Sequence, residues 1–140
     1  MKLAVVTGVS QGIGAAVADT LISEGWGVVG LSRTQPEPRA GLYWFACDVR
    51  IPDVVTDILA SAGIDTVDAL VHCAGVRGPF GPMLENDLDE WVRTVTVNLL
   101  GTYYTVRACL PLLQKTEDGR VLLFSGGGAF SPEPNYSAYA

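Results

Sequence analysis

Short apolar runs recur along the chain, each followed by a turn signal and then by helical periodicity. The runs at 2–6, 27–31, 43–47, 67–72 and 120–125 are almost continuously apolar, which predicts short strands buried on both faces, as in a parallel sheet. Between them the spacing predicts helices over 12–24, 51–62 and 86–113. In the last of these, Leu88, Trp91, Val92, Val95 and Leu99 recur at helical spacing. The β-branched stretch Thr94-Val95-Thr96-Val97 reads locally as strand, and the periodicity around it outweighs that reading. Pro36 and Pro38 mark one loop, and Gly78-Pro79-Phe80-Gly81-Pro82 marks another. Strand and helix alternating in this way predict an α/β fold, a doubly wound parallel sheet that takes ligands at the carboxyl ends of its strands.

The first strand runs into Thr7-Gly8-Val9-Ser10-Gln11-Gly12-Ile13-Gly14 and then into a helix. Glycines there let the backbone approach a ligand, and the first helical turn offers unpaired N–H groups at the positive end of the helix dipole. A dinucleotide held through its phosphates is the ligand this turn predicts, with Gly8, Ser10, Gln11, Gly12, Ile13 and Gly14 around it. A P-loop is excluded, because only three residues separate Gly8 from Gly12 and no lysine follows. The literal G-x-G-x-x-G at Gly25-Trp26-Gly27-Val28-Val29-Gly30 follows a helix and enters a strand, the reverse of the required order. Gly25 reads instead as a helix C-cap.

Composition narrows the function classes. A chain of 140 residues, 49% hydrophobic and 17% charged, is one domain with a real core. A net charge of −6 argues against nucleic acid or an anionic membrane surface as partner. No apolar run approaches the roughly 20 residues of a membrane span. The N-terminus enters a strand directly and shows no signal peptide, so a cytoplasmic protein is expected. Cys47, Cys73 and Cys109 are odd in number, widely spaced and set in apolar segments, as core fillers in a reducing compartment would be. No Cys/His pair has ligand spacing, so no metal is expected. The sequon Asn135-Tyr136-Ser137 is read as chance.

The T-G-x-x-x-G-x-G pattern resembles the short-chain dehydrogenase/reductase family, and the resemblance runs along all 140 residues. It implies a Rossmann-type fold and a nicotinamide cofactor. In Cys47-Asp48-Val49, Asp48 matches the family's adenine contact, with Val49 beside it. His72-Cys73-Ala74-Gly75 is similar to the family's Asn-Asn-Ala-Gly with both asparagines replaced, and it implies that Cys73, Ala74 and Gly75 approach the cofactor ribose. His72 matches a structural position, so a packed, hydrogen-bonded role is expected rather than general-base work. Asn98 matches the helix asparagine that bends the helix and holds a proton-relay water. Many members carry two serines after the fifth strand and use the second. Here the pair reads Ser125-Gly126, so Ser125 is taken as the catalytic serine, with Ser131 the lesser substitute.

The family's acid/base tyrosine is followed four places on by a lysine. Four after Tyr136 stands Ala140, whereas four after Tyr139 lies beyond residue 140, so Tyr139 is the tyrosine expected to act. The sequence is therefore read as the N-terminal portion of a longer enzyme: a single dinucleotide-binding domain over 1–140, incomplete at its C-terminal end and truncated after the fifth strand. As it stands it is expected to show little turnover. After the second strand, Ser32 and Arg33 occupy the place where an acid would signal NAD. Ser32 can donate to a 2′-phosphate and Arg33 can pair with its charge, which predicts NADP, with NAD as the alternative. The leading expectation is an oxidoreductase moving hydride between nicotinamide and a small carbonyl or alcohol, a homo-oligomer in full-length form. A non-catalytic dinucleotide-binding module and an assembly fragment pairing through its sheet edge stay open.

Overall fold

The computed structural model describes residues 1–140. Five strands form one parallel sheet: β1 (Leu3–Thr7), β2 (Gly27–Ser32), β3 (Leu42–Ala46), β4 (Ala69–His72) and β5 (Arg120–Leu123), in the order β3-β2-β1-β4-β5. Helices α1 (Gly12–Ser23), α2 (Val54–Ser61), α3 (Leu88–Val95) and α4 (Gly101–Leu113) supply the crossovers, with a π-helical turn, Thr96–Leu100, joining α3 to α4. All five expected strands and all three helical regions are present, and the fold class is the doubly wound sheet.

The central strands are buried because their side chains alternate between two apolar layers. Val5, Val29, Leu31 and Leu70 pack against Val55 and Leu59 of α2 and against Val97, Cys109 and Leu113. Ala4, Val6, Val28 and Val71 pack on the other face, against Ala18 and Leu21 of α1. Val5 lies in register with Val29 on one side and Leu70 on the other. Each such fully buried valine or leucine contributes about 1.5–3 kcal/mol. At Gly25 and Trp26 the helix end closes as expected of a glycine C-cap, their N–H groups donating to Ile22 and Leu21 carbonyls at 3.0 Å.

Differences lie at the boundaries. α2 begins at Val54 rather than 51, because Asp53 sits in the left-handed region at φ 64° and the preceding residues form a turn. The long helix begins at Leu88, where the Asp87 carboxylate accepts the Glu90 N–H at 2.8 Å as an N-cap. β3 has no buried residue, and β5 departs further from the buried-strand reading. It pairs only with β4, and Val121, Leu122 and Leu123 remain 41%, 51% and 47% exposed.

Candidate functional site

Chain connections leave β1 and β4 toward opposite sides of the sheet, so the loops at their carboxyl ends diverge. A cleft of about 400 Å³ opens there. Gly8, Ser10, Gln11, Gly12, Ile13 and Gly14 form one wall, and Cys73, Ala74 and Gly75 form another. Ser32, Arg33, Asp48 and Val49 line the end beyond β2 and β3. Every residue expected to touch a cofactor therefore lines one cavity.

The glycine turn is built by close approach. A Cβ at Gly14 would stand 2.7 Å from the Gly8 carbonyl carbon, so the start of α1 lies directly on the turn backbone. No side chain caps this helix, and its first turn carries no acid. Its N–H groups and dipole end are thus uncontested by anything negative, and the Gly12 Cα faces open space. This cradle fits a diphosphate-bearing ligand such as a nicotinamide dinucleotide.

Thr7 ties the two diverging strands together. Its hydroxyl, fully buried, accepts the N–H groups of Cys73 and Ala74, both at 3.0 Å, and lies 3.1 Å from His72 Nδ1. With both lone pairs engaged, the hydroxyl proton is directed at Nδ1, which assigns His72 the Nε2–H tautomer. Burial pulls the imidazole down to about 4, against a weaker opposing interaction with the Ala74 backbone. A neutral, 5% exposed histidine bonded to Thr7 is a packing residue. Burial also pushes the Cys73 thiol up to about 11, and that of Cys47 likewise, with Asp48 adding to the latter.

At the far end, Arg33 is exposed and makes no ion pair or hydrogen bond. Ser32 differs from its expected role. Its hydroxyl donates to the Thr34 carbonyl at 2.7 Å and accepts the Trp44 indole N–H at 2.9 Å. Its one proton is already committed, so the donation expected of it toward a phosphate is not available in this arrangement. Asp48 accepts from the Arg50 guanidinium through both carboxylate oxygens and from the Arg50 N–H at 3.1 Å. These bonds hold its carboxyl below the usual range, with Arg33 adding a smaller pull.

The expected catalytic residues fall into two places. Asn98 lies in the π-helical turn and clamps the cleft wall: Oδ1 accepts the Val76 N–H at 2.9 Å and Nδ2 donates to the Val76 carbonyl at 2.7 Å. The Asn98 carbonyl accepts the Thr102 hydroxyl at 2.6 Å. The helix is π-helical at this residue. Ser125 and Tyr139 do not line the cleft. Ser125 is exposed with no hydrogen-bond partner for its hydroxyl, and Ser131 donates to the Gly127 carbonyl at 3.3 Å. Tyr139 lies over Gly126, where a Cβ would stand 2.9 Å from the phenol oxygen. Its segment is anchored by Ser137, whose hydroxyl accepts from Asn86 Nδ2 at 3.2 Å and Trp91 Nε1 at 3.1 Å, and by Tyr136, whose ring packs at a tilt of 54° against Phe80. The structure brings the Tyr139 ring to Gly126, the residue that follows Ser125.

Sequence reasoning did not assign roles to Thr7, Trp44, Arg50, Trp91 or Ser137. Thr7 carried a local signal, standing directly before Gly8; the others act on partners that only the fold brings near.

Residues 2–140 match the family model described as short chain dehydrogenase. The chain is 31% identical to a 2-dehydro-3-deoxy-L-rhamnonate dehydrogenase (NAD(+)) of Sphingomonas sp., covering 99% of this chain and 59% of that protein. It is 30% identical to a D-beta-hydroxybutyrate dehydrogenase of Rhizobium meliloti, covering 99% and 58%. Among solved structures, it superposes on ligand-free aldohexose dehydrogenase of Thermoplasma acidophilum with a TM-score of 0.91 at 31% identity, covering 99% of this chain and 54% of that one. The chain therefore spans somewhat more than half the length of these relatives. No helix is long and apolar enough to cross a membrane.

Proposed function

Since the chain belongs to the short-chain dehydrogenase family, we propose that it holds the cofactor for an NADP-dependent oxidoreductase acting on a small carbonyl or alcohol. The observation that carries the cofactor choice is Arg33, an unpaired guanidinium lining the same cleft as the uncapped start of α1. A 2′-phosphate offers it charge-assisted hydrogen bonds that a ribose hydroxyl cannot match. The Sphingomonas relative is named for NAD(+), and Arg33 is the reason for assigning this chain differently. When bound, the nicotinamide supplies or accepts the hydride. Gly8 to Gly14 hold the diphosphate, Asp48 and Val49 border the adenine, and Cys73, Ala74 and Gly75 border the ribose. Asn98 positions this last wall through Val76. Tyr139 exchanges the proton with the substrate oxygen, and Ser125 is the serine hydroxyl offered to it.

The relatives' names, a hydroxybutyrate, a rhamnonate and an aldohexose dehydrogenase, support a small hydroxyl- or carbonyl-bearing substrate. Assembly as a homo-oligomer belongs to the same proposal. A second reading, a dinucleotide-binding module without turnover, is favoured by one observation. Glycine stands at position 126, where the family resemblance expects the working serine, and the Tyr139 ring fills the space of its side chain. Calorimetric titration tests the cofactor assignment: NADP should bind more tightly than NAD, and Arg33→Asp should flatten or reverse the preference. Equal affinities in the unmodified chain would overturn it.

A further inference from the structure

We infer that Trp44, a β3 residue that does not line the cleft, is a positioning residue for cofactor discrimination, acting through Ser32 on Arg33. The inference rests on the NADP reading above and deepens it. Arg33 is long, exposed and unpaired, so its use to a phosphate depends on how firmly its backbone is fixed, because ordering a free arginine costs rotamer entropy. One hydroxyl fixes the backbone on both sides of it. Ser32, 7% exposed, closes a turn around Arg33 by donating to the Thr34 carbonyl at 2.7 Å.

That hydroxyl has a free choice of rotamer unless something holds its acceptor side. The Trp44 indole N–H does so at 2.9 Å, and an indole can only donate, so the Ser32 proton is left for Thr34. Trp44 is itself rigid: β3 pairs it in register with Gly30, and it packs against the apolar layer beneath α1. Asp48, which lines the same cleft as Arg33, is engaged by Arg50 and leaves Arg33 unpaired. Discrimination then depends on the Arg33 charge alone, aimed from a turn that Trp44 locks.

The test is calorimetric titration of the chain with NADP and with NAD, for the unmodified protein, Trp44→Phe, Ser32→Ala and the double variant. Loss of one such hydrogen bond should lower the ratio of NADP to NAD affinity by about fivefold in Trp44→Phe. Ser32→Ala should lower it equally, and the double variant no further, because both substitutions remove one linkage. Ser32→Ala deletes a single oxygen and carries the test if Trp44→Phe does not fold. A ratio unchanged in either single variant, with both cofactors weakened alike, would mean that Trp44 only packs, and would overturn the inference. So would a double variant whose effect is the product of the single ones. If the unmodified chain shows no preference, or binds neither dinucleotide, the cofactor reading falls first and the inference with it.

Discussion

The hydroxyl of Thr7 sets the tautomer of the only histidine in the chain. Its proton points at Nδ1, and burial holds the imidazole at about 4 against the ordinary 6.5. The unfolded chain therefore takes up a proton first as the pH falls. Between 6.5 and 4 the unfolded state binds more protons than the folded one, so stability rises with pH across that window and is lost on acidification. From pH 7 to pH 5 the loss should be about 2 kcal/mol by linkage from these two values, read from urea unfolding at each pH. His72→Asn should remove most of that slope, and an unchanged slope would show that other groups carry it. The packed role of His72 was legible from its place in the sequence. Its tautomer was not, because the partner that decides it lies 65 residues away. The same holds for Ser32, whose hydroxyl proton goes to the Thr34 carbonyl while its oxygen accepts from Trp44, 12 residues on.

At the scale of elements, strand and helix existence was legible because apolar runs and turn residues report on local conformation. What escaped notice was decided by contacts across the fold. The π turn at Thr96–Leu100 inserts one residue into the helix without breaking its apolar spacing, so the sequence reads as uninterrupted. Asn98 in that turn bonds both backbone groups of Val76, and Asn98→Ala would leave a half-buried N–H and carbonyl without partners. A loss of about 2–3 kcal/mol in unfolding free energy is expected, with weakened dinucleotide binding as the cleft wall loosens. Asn98→Asp, which keeps the acceptor and loses the donor, should fall between the two. The phosphate turn makes a second prediction. In Gly14→Val the added carbon meets the Gly8 backbone before it meets any ligand, so the turn itself must move. Dinucleotide binding should be abolished while far-UV circular dichroism stays near that of the parent. Normal binding by this variant would remove the turn from the site.

At the scale of the whole molecule, the apolar periodicity that revealed the long helix does not mark the face it turns to the sheet. Thr94, Val97, Gly101, Thr105, Cys109 and Leu113 are the buried positions. Leu88, Val92, Leu99 and Tyr103 are 76%, 59%, 63% and 60% exposed, on the same long helix. A helix apolar on two faces covers the sheet with one and presents the other. Val121, Leu122 and Leu123 of β5, each more than 40% exposed, add a second apolar surface at the sheet's edge. Surfaces of this kind on a folded domain mark association sites, and an open strand edge adds unpaired backbone groups to the attraction. The chain's net charge of −6 opposes association only weakly at physiological salt, where exposed charges are screened within about 8 Å. Self-association that strengthens with concentration is therefore expected in sedimentation velocity experiments. The two surfaces can be told apart by placing a charge on each. Leu99→Glu should shift the distribution toward monomer if the helix face carries the contact, and Leu122→Lys should do so if the strand edge does. Both substituted positions are exposed, so neither variant should lose more than about 0.5 kcal/mol of stability. A parent chain that stays monomeric at high concentration would refute assembly through either surface.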